Sequence, residues 1–119
     1  MLLARSSCRF GVLTPALLHI LSVLEEYARA RDLTIIVLSG SDGGHSLYSG
    51  HQRGEACDFR CRYLSDHHSI AELQTRLGPE FLMRHEHAGQ SNEHYHVQLR
   101  RGAEYHPHVP TNVSRFNRV

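Results

Sequence analysis

Two short polar segments about forty residues apart constrain this chain more than any other feature. Ser49 to Asp58 reads S-G-H-Q-R-G-E-A-C-D, and Glu93 to His96 reads E-H-Y-H. His51, Asp58 and His96 offer one imidazole nitrogen, one carboxylate oxygen and a second imidazole nitrogen. That donor set fills three positions of a tetrahedral zinc ion and leaves the fourth for water. Glu93 is then the candidate proton acceptor. A fold that realises this chemistry must carry Asp58 and His96 into contact across the intervening chain, which calls for a sheet with a defined register.

Composition narrows the class. A length of 119 residues predicts one domain with a single modest core. Hydrophobic residues at 40% with charged residues at 21% read as globular, and a net charge of +1 argues against nucleic acid or an anionic membrane as partner. Eleven histidines against no tryptophan point towards metal, although most are expected on the surface. Three cysteines, Cys8, Cys57 and Cys61, make no disulfide framework and fit a reducing compartment. The C-x-x-x-C spacing is a weak metal signal, and Cys57 is expected to be a small buried residue. No stretch is long enough to span a membrane, and the apolar start lacks a signal-peptide cleavage pattern. Cytoplasmic synthesis without a signal peptide is therefore expected.

The rest of the pattern predicts an α+β domain over 1–119. Thr14 and Pro15 start a helix in which Leu17, Leu18, Leu21, Leu24 and Ala28 recur at helical spacing to about Ala30. Leu33 to Leu38 is a short β-branched run that reads as a buried strand, and the glycine-rich stretch Ser39 to Gly50 reads as a loop. Ala56 to Arg60 is expected as a strand with Asp58 facing away from Cys57 and Phe59; Gly54 provides the turn before it. Ser69-x-x-Glu72 reads as a capping box for a second helix that stops at Gly78-Pro79. Phe81 to Arg84 and His94 to Leu99 complete a small antiparallel sheet, with the first helix packed on it. His94 and His96 share a face, so Glu93 must sit at the turn and fold back to reach a metal beside them. Residues 1–12 and 101–119 are expected as extended or poorly ordered ends, and His106 and His108 as solvated.

The pattern S-x-H-x-x-G-x-A-x-D followed by E-x-x-H resembles the zinc peptidases that include D-alanyl-D-alanine carboxypeptidases, the VanX and VanY dipeptidases, phage L-alanyl-D-glutamate endolysins and the Hedgehog signalling domain. Ser49, His51, Gly54, Ala56, Asp58, Glu93 and His96 fill its fixed positions, and Gly43 and Gly44 resemble the glycine pair upstream. The likeness covers about half the chain, from Ser39 to Val97. It implies a Hedgehog/DD-peptidase-like fold, Zn²⁺ on His51, Asp58 and His96, Glu93 as general base, and a peptidoglycan stem peptide as substrate, cut by a carboxypeptidase or an endopeptidase. His94 is placed to stabilise the oxyanion, and Ser49 to support the site rather than act as nucleophile.

One departure stands out. The resemblance implies an arginine after the first strand, where this chain has Ser39-Gly40-Ser41-Asp42. His94, Arg53 or Arg60 would have to replace it in gripping substrate or polarising its carbonyl. Two His and a carboxylate also form the facial triad of non-haem iron oxygenases, but there one residue commonly separates the first His from the acid, whereas six intervene here. The other reading, from a different class, is a non-catalytic zinc-stabilised binding or structural module, such as a phage particle component. Retention of Glu93 favours catalysis over it.

Overall fold

Helix α1 (Pro15–Arg31) begins where the Thr-Pro pair predicts it. Thr14 Oγ1 accepts the Leu17 N–H at 3.1 Å, and Pro15 occupies the first turn, where no donor is missed. The same hydroxyl donates to Gly54 O at 2.7 Å, tying the helix start to the chain entering the metal-motif strand. Asp32, at φ 53°, ends the helix in the left-handed region, and the Leu33 N–H returns to Ala28 O at 2.9 Å. The buried stripe runs through Leu17, Ile20, Val23, Leu24, Tyr27 and Ala28. Leu18, expected on that stripe, is 52% exposed. The apolar residues of α1 surround more than half the helix, so spacing alone does not fix which of them face inward.

The structure, a computed structural model, describes residues 1–11, 13–40, 54–62, 64 and 67–105. Besides α1 it contains β1 (Leu2–Ala4), β2 (Ile35–Ser39), β3 (Ala56–Cys61), α2 (His67–Leu77), β4 (Phe81–Glu86) and β5 (His94–Leu99). The five strands form one sheet in the order β1-β2-β3-β5-β4. The expected α+β class holds. The sheet is mixed rather than purely antiparallel, because β1 runs parallel to β2 and the other pairings are antiparallel. A parallel pair needs a crossover, and α1 supplies it.

The first residues of the chain are extended, as expected, but in a paired strand rather than a loose end. Beyond β1, Phe10 packs over the end of β2, where a Cβ on Gly40 would meet Phe10 Cδ1 at 2.5 Å and Arg9 O at 2.6 Å. The expectation of a loose tail from residue 101 also gives way at its start, since Ala103 and Tyr105 pack on the core and the Tyr105 ring lies 4.9 Å from that of His19. Residues 106–119, with His106 and His108, lie outside the described residues.

Both helices cover one face of the sheet, α1 over β1, β2 and β3, and α2 over β4. Strand alternation sends Cys57, Phe59 and Cys61 of β3, Tyr95, Val97 and Leu99 of β5, and Phe81 and Met83 of β4 into that core. Phe59 stacks on Tyr95 at 5.4 Å, and Tyr95 in turn donates its hydroxyl to Leu64 O at 2.6 Å. Helix α2 starts at His67, so Ser69 sits inside the first turn and is not its N-cap. Glu72 instead holds Arg31 of α1 and, at 3.2 Å, Arg76. Gln74 turns towards the edge strand β4, donating to Phe81 O at 2.7 Å and accepting the Met83 N–H at 3.1 Å. An amide side chain thereby satisfies backbone groups that an edge strand would otherwise present for pairing.

The Tyr27 side chain is fully buried, and its hydroxyl has no hydrogen-bond partner among the described residues. Replacing it therefore removes a desolvated polar atom without opening a cavity. Tyr27→Phe is expected to leave stability unchanged or raise it by up to about 1 kcal/mol in urea unfolding, whereas Phe59→Ala costs about 3–5 kcal/mol. A clear loss in Tyr27→Phe would reveal a partner for that hydroxyl.

Candidate metal centre

The face of the sheet that neither α1 nor α2 covers carries Asp58 of the first motif segment and His94 and His96 of the second. On β3, Asp58 and Arg60 project there while Cys57 and Phe59 enter the core, as alternation predicts. The β3–β5 register sets Asp58 opposite His96. Their side chains meet, with His96 Nδ1–H donating to Asp58 Oδ1 at 2.7 Å across 38 residues of sequence. Both are largely enclosed, at 14% and 11% side-chain exposure, so the pair interacts in a medium that screens it poorly.

Two further contacts fix the pair. A bulge between Val37 and Ser39 shifts β2 so that Ser39, and not Leu38, stands beside Asp58. Ser39 Oγ donates to Asp58 Oδ2 at 3.1 Å. On the other side, His96 Nε2 lies 2.7 Å from Gln98 Oε1. Burial works against charge on His96, but the hydrogen bonds to Asp58 and Gln98, with the charges of Asp58 and Glu86, outweigh it and hold the imidazole pKa above its ordinary value. Both ring nitrogens thus face oxygen acceptors.

Asp58, Glu86 and His96 lie close enough to hold a metal ion: one ligand atom from each falls within 4.8 Å of the others. Glu86 reaches the group from β4, where the β4–β5 register places it opposite His94, and its Oε1 is 3.2 Å from His94 Nε2. The donor chemistry suits a divalent cation, with one nitrogen and carboxylate oxygens converging.

The residues singled out by sequence divide into three groups. Asp58 and His96 are in contact. Glu93 and His94 belong to the turn and first residue of β5: His94 faces the same side as His96 and donates its Nδ1–H to Asn92 O at 2.9 Å. Glu93 lies at the turn, as expected, but its carboxylate bonds His85, with Oε2 at 2.5 Å from Nε2. Being one residue before His94, it is directed by alternation towards the side of His85, which stacks on the core ring of Tyr95 at 4.5 Å. Arg60 donates its Nε to Glu93 O at 3.3 Å. His51, Ser49 and Arg53, with Gly43 and Gly44, lie outside the described residues.

Glu86 and Ser39 escaped the sequence reading. No motif marks Glu86, and only the pairing of β4 with β5 brings it to His96. The sequence assigns Ser39 to the start of a loop, yet it is the last residue of β2, and its contact with Asp58 depends on a bulge that the sequence does not announce. Cys57, by contrast, is buried as expected: burial, followed by the nearby Asp58 charge, pushes its thiol pKa up, and burial also raises that of Cys61, which favours the neutral thiol at both.

The fold and this face together define a small α+β domain with a candidate metal centre on its sheet. No protein-family model, curated protein or solved structure matches the chain.

The identity of the third protein donor is open to a direct test. Zinc titration followed by elemental analysis should give one equivalent for the parent and none for Asp58→Asn or His96→Ala. If His51 is the third ligand, His51→Ala weakens binding by at least tenfold and Glu86→Gln leaves it near parental; the reverse pattern assigns the position to Glu86.

Proposed function

We propose that this chain is a zinc-dependent peptidase that hydrolyses a peptide bond in bacterial peptidoglycan stem peptides, as a D-Ala-D-Ala carboxypeptidase or an L-Ala-D-Glu endopeptidase. The observation that carries the reading is the Asp58–His96 contact at 2.7 Å. Two of the three residues that the sequence pattern selects as ligands are thus joined across the sheet, on the face away from the helices. The third, His51, follows Ser49 in the same pattern. The assignment to wall peptides rests on the sequence resemblance.

In this reading His51, Asp58 and His96 hold the ion, while Ser39 and Gln98 orient the Asp58 carboxylate and the His96 ring. Zinc bound there supplies a Lewis acid that acidifies water and polarises a carbonyl. Glu93 takes the proton from the attacking water and passes it to the leaving amine. To do so its carboxylate must leave His85, on the core side of the sheet, and turn round the sheet end to the face that carries Asp58 and His96, a rearrangement of the turn as well as of a side chain that is 37% exposed. His94, on the His96 face, donates to the oxygen that gains negative charge.

A second reading is favoured by one specific contact. Glu93 already has a partner in His85, and a carboxylate bound that way serves the turn whether or not it serves chemistry. On that reading the domain is a zinc-stabilised binding or structural module, and metal-binding energy is folding energy.

Incubating the zinc-loaded protein with defined muropeptides and reading the products by mass tests the first reading and identifies the bond cut. Glu93→Gln should then lower turnover by ~10²–10⁴-fold while one zinc remains bound. For the non-catalytic module the parent produces no cleavage, Glu93→Gln changes nothing, and His96→Ala lowers the unfolding midpoint sharply.

A further inference from the structure

Beside the metal centre, the end of the sheet holds a cavity of about 550 Å³ whose walls include Arg60, Arg62, Ile36 and Glu93. That volume suits a ligand of a few residues or less. It lies next to the Asp58–His96 pair, since Arg60 follows Asp58 by two positions on the same face of β3, about 7 Å along the strand. Ile36, 37% exposed, gives the cavity an apolar side, and Ser91 and Gln90 from the β4–β5 connection give it neutral hydrogen-bonding groups.

Charge is the informative property. Arg60 uses Nε on Glu93 O, which orients its guanidinium and leaves its terminal nitrogens without a described partner. Arg62 has no hydrogen-bond or ion-pair partner among the described residues. The one acid on the wall, Glu93, is bonded to His85. Two guanidinium groups with donors to spare thus face one small cavity. A planar fork of this kind matches a carboxylate in bidentate geometry. A phosphate dianion would meet stronger repulsion from Glu93 than a carboxylate monoanion does.

We propose that Arg60 and Arg62 form a carboxylate-binding subsite, which takes the free C-terminal carboxylate of a short peptide with its last side chain against Ile36. It depends on the peptidase reading only for where the peptide is cut; the binding itself needs neither metal nor turnover. Within that reading the subsite selects substrates in which a free carboxylate lies one or two residues beyond the bond at the metal.

The test uses the full chain, zinc-free and zinc-loaded, titrated with N-acetyl-alanyl-alanine, its C-terminal amide, and inorganic phosphate, and followed by NMR of the arginine Nε–H and backbone amide signals. The acid should shift the Arg60 and Arg62 Nε–H signals in both metal states, with the amide and phosphate binding at least roughly tenfold more weakly. Arg60→Gln and Arg62→Gln should each weaken binding of the acid by roughly tenfold or more while zinc stoichiometry and the rest of the spectrum are retained. Equal binding of acid and amide, tighter binding of phosphate, unchanged affinity in both variants, or no binding of the acid at millimolar concentration would overturn the proposal. Because the zinc-free arm reads binding alone, absence of muropeptide cleavage with intact carboxylate binding would count against the peptidase reading and leave the subsite standing.

Discussion

The antiparallel register between β3 and β5 is the constraint on which the rest depends. It pairs Asp58 with His96 on one face and, one step along, Phe59 with Tyr95 on the other. A slip of one residue would send the aromatic pair outward and bury the acid and the imidazole in the core. The apolar interactions under the helices therefore set the polar geometry above them. Buried Cys57, Phe59, Tyr95 and Val97 stabilise the same alignment that brings the candidate ligands together.

The contacts around Asp58 show how a largely buried carboxylate is made tolerable. An unpaired charge in that position would cost several kcal/mol. Ser39 satisfies one oxygen and His96 the other, and the raised pKa of His96 is the counterpart of that arrangement. A divalent ion held by Asp58, His96 and Glu86 would supply the positive charge that the imidazole proton supplies without it, so residues that are satisfied without metal are also close enough to hold one.

The connection between β4 and β5 works at a second level. His87 adopts φ 56° and Gly89 φ 80°, left-handed conformations that let the chain reverse in a few residues. The reversal delivers Glu93 to His85, His94 to Glu86, and the Glu93 carbonyl to Arg60. Metal face, turn carboxylate and arginine-lined cavity consequently meet at one end of the sheet, each held by backbone pairing rather than by a long side-chain network.

The sequence by itself determined the elements: the Thr14-Pro15 helix start, the strands at Ala56 and His94, the alternation that separates Asp58 from Cys57 and Phe59, and the helix that ends before Gly78. These follow from local chemistry, such as capping, fixed proline φ and period-two patterning, which needs no knowledge of neighbours. It also picked out Asp58 and His96 as partners, because two separated polar motifs in one small domain have chemical meaning only if they meet. Tertiary structure decided the parallel edge strand β1, the rotation of α1 that exposes Leu18, the bulge that brings Ser39 to Asp58, the arrival of Glu86 beside His96, and the attachment of Glu93 to His85. Each of these depends on which strand lies next to which and in what register, and that is settled by the packing of the whole core on one face of the sheet, a property that no local window of sequence contains.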